Sequence, residues 1–156
     1  LDMVSTYPSD GNSSKLYRKL VDKQKMSLQV AAFNISLEEY GMYVILTLPL
    51  GETSLASLRD EIDEEIEKIQ TNLISQKDYE KLLNKFESNF VSSNASVEGI
   101  ANSLAEYYIF YDDTNLINSE IDIYRSITRE EIRDVAKKYL NSNQRLTLNY
   151  LPGSKK

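Results

Sequence analysis

The chain has 156 residues, 41% of them hydrophobic and 27% charged, so it can bury a core and is too apolar for wholesale disorder. Lys and Arg number 18 against 24 Asp and Glu, and the net charge of −6 offers no basic face for nucleic acid. Histidine and cysteine are absent, which excludes a Ser-His-Asp triad, a Cys nucleophile, disulfides and an ordinary catalytic zinc site; a carboxylate-only magnesium or calcium site stays open.

Leu1-Asp2-Met3-Val4 reads as the interior of a helix, with neither an initiator Met at position 1 nor a signal peptide, so a piece of a longer protein is expected. Pro8-Ser9-Asp10-Gly11-Asn12-Ser13-Ser14 is a turn by composition, and Ser13 or Ser14 can cap the helix carrying Leu16, Leu20 and Val21. Alternation over Leu28–Phe33 predicts a strand, Leu37–Gly41 a linker, and Met42–Leu50 a second strand. Met42–Leu50 is apolar on both faces until Pro49, which suggests a central strand covered on at least one side by helices. At nine residues it falls short of the roughly 18 that a membrane span needs.

Four helices are expected next. Leu55, Leu58, Ile62, Ile66, Ile69 and Leu73 draw one apolar stripe. A second helix opens at Ser75 and carries Tyr79, Leu82, Leu83, Phe86 and Phe90. A third carries Ile100, Leu104, Tyr107, Tyr108 and Tyr111, and a fourth follows the capping box Thr128-Arg129-Glu130-Glu131. Asp112–Ser119 reads as a short connection inside one domain. Arg145–Tyr150 alternates as a last strand, stopped by Pro152-Gly153. These elements predict an α+β fold, an antiparallel or mixed sheet with helices packed on one face. The domain is expected over 1–151, with 152–156 a solvated tail.

No enzyme site emerges from these residues, and no catalytic or metal residue is assigned. Asp60, Asp63, Glu64 and Glu67 oppose the apolar stripe, as charges do on a solvated helix face. Asp112-Asp113 with Asn115 reads first as a turn and cap. Tyr107, Tyr108 and Tyr111 suit a helix packed on a sheet better than a stacked ligand. The glycosylation-type triplets at Asn12, Asn34 and Asn94 are expected by chance in a Ser- and Asn-rich chain.

Two segments nevertheless carry a likeness. Gly11-Asn12-Ser13-Ser14-Lys15-Leu16-Tyr17-Arg18-Lys19-Leu20 with Leu28-Gln29-Val30-Ala31-Ala32-Phe33 resembles the later half of pitrilysin/insulinase-family zinc peptidases. So does Ile123-Tyr124-Arg125-Ser126-Ile127-Thr128-Arg129-Glu130-Glu131-Ile132 with Val135-Ala136-Lys137-Lys138-Tyr139-Leu140. The resemblance spans nearly the whole chain and implies the C-terminal, non-zinc-binding domain of such a peptidase. It also implies a clamshell of homologous halves closing over peptide, with zinc held by an inverted His-x-x-Glu-His motif in the other half. This chain, without histidine, needs no cofactor of its own; zinc is expected in the missing N-terminal half or a partner.

In that family an Arg and a Tyr of the second half approach the substrate backbone. The resemblance sets Val21 at the Arg position, Lys25 at a Gly position and Leu28 at the Tyr position, so the two substrate-binding positions are degenerate. The implied role is a non-catalytic domain that helps enclose peptide and packs on a homologous zinc-bearing half or subunit. The rivals are a structural, inactive peptidase homologue and an unrelated α+β interaction module. The partners implied are that half and a peptide substrate, with no nucleic acid and no membrane span. Location is left open; the resemblance suggests only the bacterial envelope or periplasm.

Overall fold

In a computed structural model, residues 1–9, 14–37 and 40–151 are described. Of the expected turn from Pro8 to Ser14, residues 10–13 lie outside them and Pro8 and Ser9 belong to the first helix; residues 38–39 of the expected linker and 152–156 also lie outside. The chain begins with helix α1 (Asp2–Ser9) and a π-helix (Tyr17–Lys23), followed by strands β1 (Ser27–Ser36) and β2 (Gly41–Pro49). Helices α2 (Leu55–Thr71), α3 (Gln76–Ser93), α4 (Val97–Tyr111), α5 (Leu116–Ser126) and α6 (Arg129–Tyr139) complete it, with a 3-10 turn at Ser142–Gln144.

The β-branched and aromatic run of β2 pairs antiparallel with β1, from Ser36 opposite Gly41 to Ser27 opposite Pro49. Alternation then divides the hairpin. Val30 and Ala32 of β1, with Ile45 of β2, face α1, α2 and the π-helix, and Val30 and Ile45 join Leu16, Leu20 and Leu58 in a small core. The opposite face carries Phe33, Ile35, Met42, Leu46 and Leu48, all exposed. The fold is therefore the expected α+β arrangement, with helices on one face of an antiparallel sheet.

A second, larger core is built without the strands. Met3 and Val4 of α1 meet Ile69 of α2, Ile74, Leu82 of α3, and Ile132 and Ala136 of α6. Capping sets where these helices start: the Oγ atoms of Ser54, Ser75, Ser96 and Thr128 accept the backbone N–H three residues on, at 3.0 to 3.2 Å. At Thr128 the box is complete, because its own N–H donates to Glu131 Oε2 at 2.7 Å. Gly99 is required where α4 leaves α3; a Cβ there would stand 1.9 Å from the Ser93 carbonyl oxygen.

Several expectations are corrected. Leu116–Ser126 is a helix, of which the expected connection Asp112–Ser119 is only the entrance. Helix α4 lies on α3 and α5 rather than on the sheet, so Tyr107 is buried while Tyr108 and Tyr111 stay exposed. Ser14 does not cap the helix after it, since its buried Oγ has no partner among the described residues. Arg145–Tyr150 is no strand: Arg145 has extended dihedrals and is tied to Asp63 of α2, but the segment has no ladder partner among the described residues. Alternation makes a segment fit to pair, but only a neighbouring edge turns it into a strand.

Candidate functional site

The backbone is most irregular between Tyr17 and Gln29. The helix entering this segment widens to π geometry, and Gln24 N–H reaches back five residues to the Lys19 carbonyl at 2.9 Å. Lys25 then takes φ 52°, the left-handed region that glycine enters most easily. That reversal lets Met26 N–H donate to the Leu20 carbonyl at 2.8 Å, while the Met26 carbonyl accepts Leu50 N–H at 2.9 Å and ties the turn to the end of β2.

A β-bulge follows between Ser27 and Gln29. The buried Ser27 hydroxyl fills it: its Oγ lies 2.7 Å from the Gln29 carbonyl, 2.8 Å from the Leu48 carbonyl and 2.8 Å from Thr47 Oγ1. The bulge leaves both Leu28 and Gln29 exposed. The two sequence-assigned positions thus flank one turn in different surroundings. Val21 leans on the small core beside Leu20, whereas Leu28 is 55% exposed. Neither side chain offers a hydrogen-bond donor.

The remaining candidates are occupied by structural work. Lys19 Nζ sits 2.8, 2.6 and 3.1 Å from carboxylates of Glu61, Glu64 and Glu65, fastening the π-helix to the acidic side of α2. This lysine clasp was not read from the sequence, because the packing of the π-helix on α2, not any spacing along the chain, brings Lys19 to the three glutamates. Bonds to Lys19 and then Lys68 hold Glu64 down to about 2. Asp112 closes α4 in the left-handed conformation, and Asp113 accepts the Asn115 N–H at 2.9 Å, as in a turn. Tyr107 donates to Glu120. The Asn34 amide donates to Asp2 at 2.9 Å, and that of Asn94 to the Phe90 carbonyl at 3.0 Å; Asn12 lies outside the described residues. Among the described residues no group of three or more carboxylates is placed to hold a metal ion. With carboxylates and carbonyls as the donors at hand, the residues present do not suit zinc.

No family model matches the chain. It is 25% identical over 148 residues to the zinc protease PqqE of Helicobacter pylori, covering 95% of this chain and 33% of that protein. Its fold matches the inactive peptidase domain of a candidate zinc protease from Bordetella parapertussis, with TM-score 0.86 and 21% identity, over 99% of this chain and 82% of that one. It also matches a peptidase M16 inactive domain from Pseudomonas fluorescens, with TM-score 0.77 and 18% identity, over 90% and 33% of the two chains. The fold is like that of these inactive peptidase domains. The likeness read from the residues around Leu16–Leu20 and Ile123–Leu140 is borne out. The chain spans about a third of the length of the curated relative it matches. Among the described residues no helix is long and apolar enough to cross a membrane.

Proposed function

We propose that this chain is the non-catalytic C-terminal domain of a zinc metallopeptidase, helping to enclose peptide substrate while packing on a homologous zinc-bearing half or subunit. The observation that carries this reading is the uncovered apolar face of the hairpin in a fold like those of inactive peptidase domains. Apolar residues alternating outward over both strands are what a sheet presents when something else completes its second side. The zinc belongs in that reading to the other half, because the donors here do not suit it.

The test is to mix the chain with a zinc-bearing half from the same source, one carrying the inverted His-x-x-Glu-His motif. Sedimentation should show a one-to-one complex that cleaves peptide faster than the zinc-bearing half alone, with all zinc in that half. Val44→Lys, on the uncovered face, should abolish the complex. Absence of any complex, together with full activity of the zinc-bearing half alone, would overturn the reading.

A second reading, a purely structural inactive homologue, is favoured by the missing donors at Val21 and Leu28. Val21→Arg with Leu28→Tyr separates the two. Tighter peptide binding by the complex supports a chamber wall, and unchanged binding supports the structural homologue.

A further inference from the structure

Helix α4 is apolar on nearly every side, yet only Tyr107 of it is buried. Its charged side chains are Glu98 and Glu106 alone. A helix of that composition is ordinarily enclosed by protein. Here α3 and α5 cover one side, and Tyr108, Ile109, Phe110 and Tyr111 stand exposed one after another at its end. Consecutive exposed apolar residues are a liability in a folded chain unless they meet something.

The uncovered side has the pattern of a helix-packing face. Val97, Ala101, Ala105, Tyr108 and Ile109 recur at spacings of three and four residues and so lie together. All five are exposed, Val97 to 86% and Ile109 to 68%. The two alanines sit between bulkier ends, where the axis of a second helix can approach closely.

Charge selects the helix that fits. Glu98 and Glu106 run beside this face, and exposed Asp112 and Asp113 follow at the C-terminal end. None of the four has an ion pair among the described residues, and α4 holds no Lys or Arg. Asp112 and Asp113 stand where the helix carbonyls already make the end negative, so their charges cost α4 stability instead of adding to it. A cation brought by a partner removes that cost.

We propose that the exposed face of α4 docks an amphipathic helix of a partner protein, with apolar side chains over Ala101 and Ala105 and Lys or Arg beside Glu98, Glu106 and Asp112-Asp113. A second copy of this chain fits poorly, because its own acidic rim would meet this one. An anionic bilayer fits poorly too, since helices that lie on one carry Lys and Arg on their polar face. The surface belongs to α4 alone, so it is additional to the outer face of the hairpin and stands without the peptidase reading.

The test uses the 156-residue chain and fluorescein-labelled helical peptides of about 15 residues, each with one Leu stripe flanked by Lys or by Glu. Fluorescence anisotropy should show the Lys-flanked peptide binding about tenfold tighter or more, with the advantage shrinking in salt. Ala105→Arg and, separately, Ile109→Ser should weaken that binding while leaving the urea midpoint unchanged, because both residues are exposed. Glu98→Lys with Glu106→Lys should erase the preference for Lys flanks. Equal affinity for the two peptides, or binding that survives both Ala105→Arg and Ile109→Ser, overturns the proposal. So does self-association that these two substitutions abolish without any peptide, which would give the face to a second copy. Binding to phosphatidylglycerol vesicles that the same two substitutions abolish would give it to a membrane and overturn the proposal as well.

Discussion

The two halves of this domain differ in how they finish their cores. The helical half closes on itself: α1, α2, α3 and α6 surround Met3, Val4, Ile69, Ile74, Leu82, Ile132 and Ala136. Hydrogen bonds at the margins complete it, from Tyr79 to the Ile127 carbonyl at 2.6 Å and from Gln70 to the Leu140 carbonyl at 3.0 Å. The hairpin half closes on one side only. Its inner face buries Val30 over Leu16, Leu20 and Leu58, while its outer face leaves Leu46 59% and Leu48 54% exposed. The two faces of the strands thus differ, one packed on a core and the other open, and alternation assigns each residue to its face.

The sharpest way to break this comparison uses neighbours on β2. Ile45 packs on the small core and Val44 lies on the other face, opposite Phe33. Ile45→Lys puts an unpaired ammonium where a branched chain packs, and should cost more than about 3 kcal/mol and unfold the hairpin half. Val44→Lys should cost less than about 1 kcal/mol and reduce self-association at high concentration. Urea melts and sedimentation over a concentration series check both. Equal destabilisation by the two lysines would mean that the sheet is covered on both faces.

Much of this architecture was legible in the residues. The alternation of Leu28–Phe33 and the run of strand formers over Met42–Leu50 located the hairpin, and the stripe from Leu55 to Leu73 located α2, whose spacing is a period of burial. Helix α5 was hidden by its entrance: Asp112, Asp113, Thr114 and Asn115 are turn formers, and they masked the helical spacing of Ile117, Ile121 and Tyr124. Arg145–Tyr150 misled for the opposite reason, since alternation says nothing about whether an edge is there to pair with. At the candidate site, the likeness placed a glycine position at Lys25, and the structure finds the left-handed turn there. The bulge and the Ser27 hydroxyl network depend on contacts with β2 and left no mark in the sequence.

A smaller effect sharpens the contrast among the helices. Thr128 caps α6, which carries two residues of the large core, whereas Ser96 caps α4, which buries only Tyr107. Each Ser or Thr to Ala change removes about 1 kcal/mol of capping. Thr128→Ala should lower global stability by that amount and shift the whole denaturation curve, because α6 cannot loosen without opening the core. Ser96→Ala should mainly speed amide exchange in the first turn of α4, with little change in the global midpoint. A global loss from Ser96→Ala equal to that from Thr128→Ala would show that α4 is as tightly integrated as α6.

The smallest effect tests the seam between the two halves, where Lys19 grips Glu61, Glu64 and Glu65. Bonds to Lys19 lower Glu61 and Glu64, the latter also through Lys68, down to about 2. Burial opposes the Lys19 charge, but the three glutamates outweigh it and raise the amine. A carboxylate lowered in the folded state stabilises it above the unfolded value near 4.3, and that contribution fades as acid protonates it. The window runs from about pH 4.3 down to about pH 2. The raised Lys19 is fully charged throughout that range, so its own loss is confined to alkaline pH. Glu64 is open to water while Glu61 and Glu65 are partly buried, so salt screens the Glu64 pair most and the gain from it is modest. Lys19→Met should therefore lower the urea midpoint slightly at pH 7 and leave it unchanged near pH 2, so that the two pH profiles converge in acid. Profiles that stay parallel from pH 7 to pH 2 would show that Lys19 contributes through its packed stem, beside Leu20 and the small core, rather than through the charges it holds.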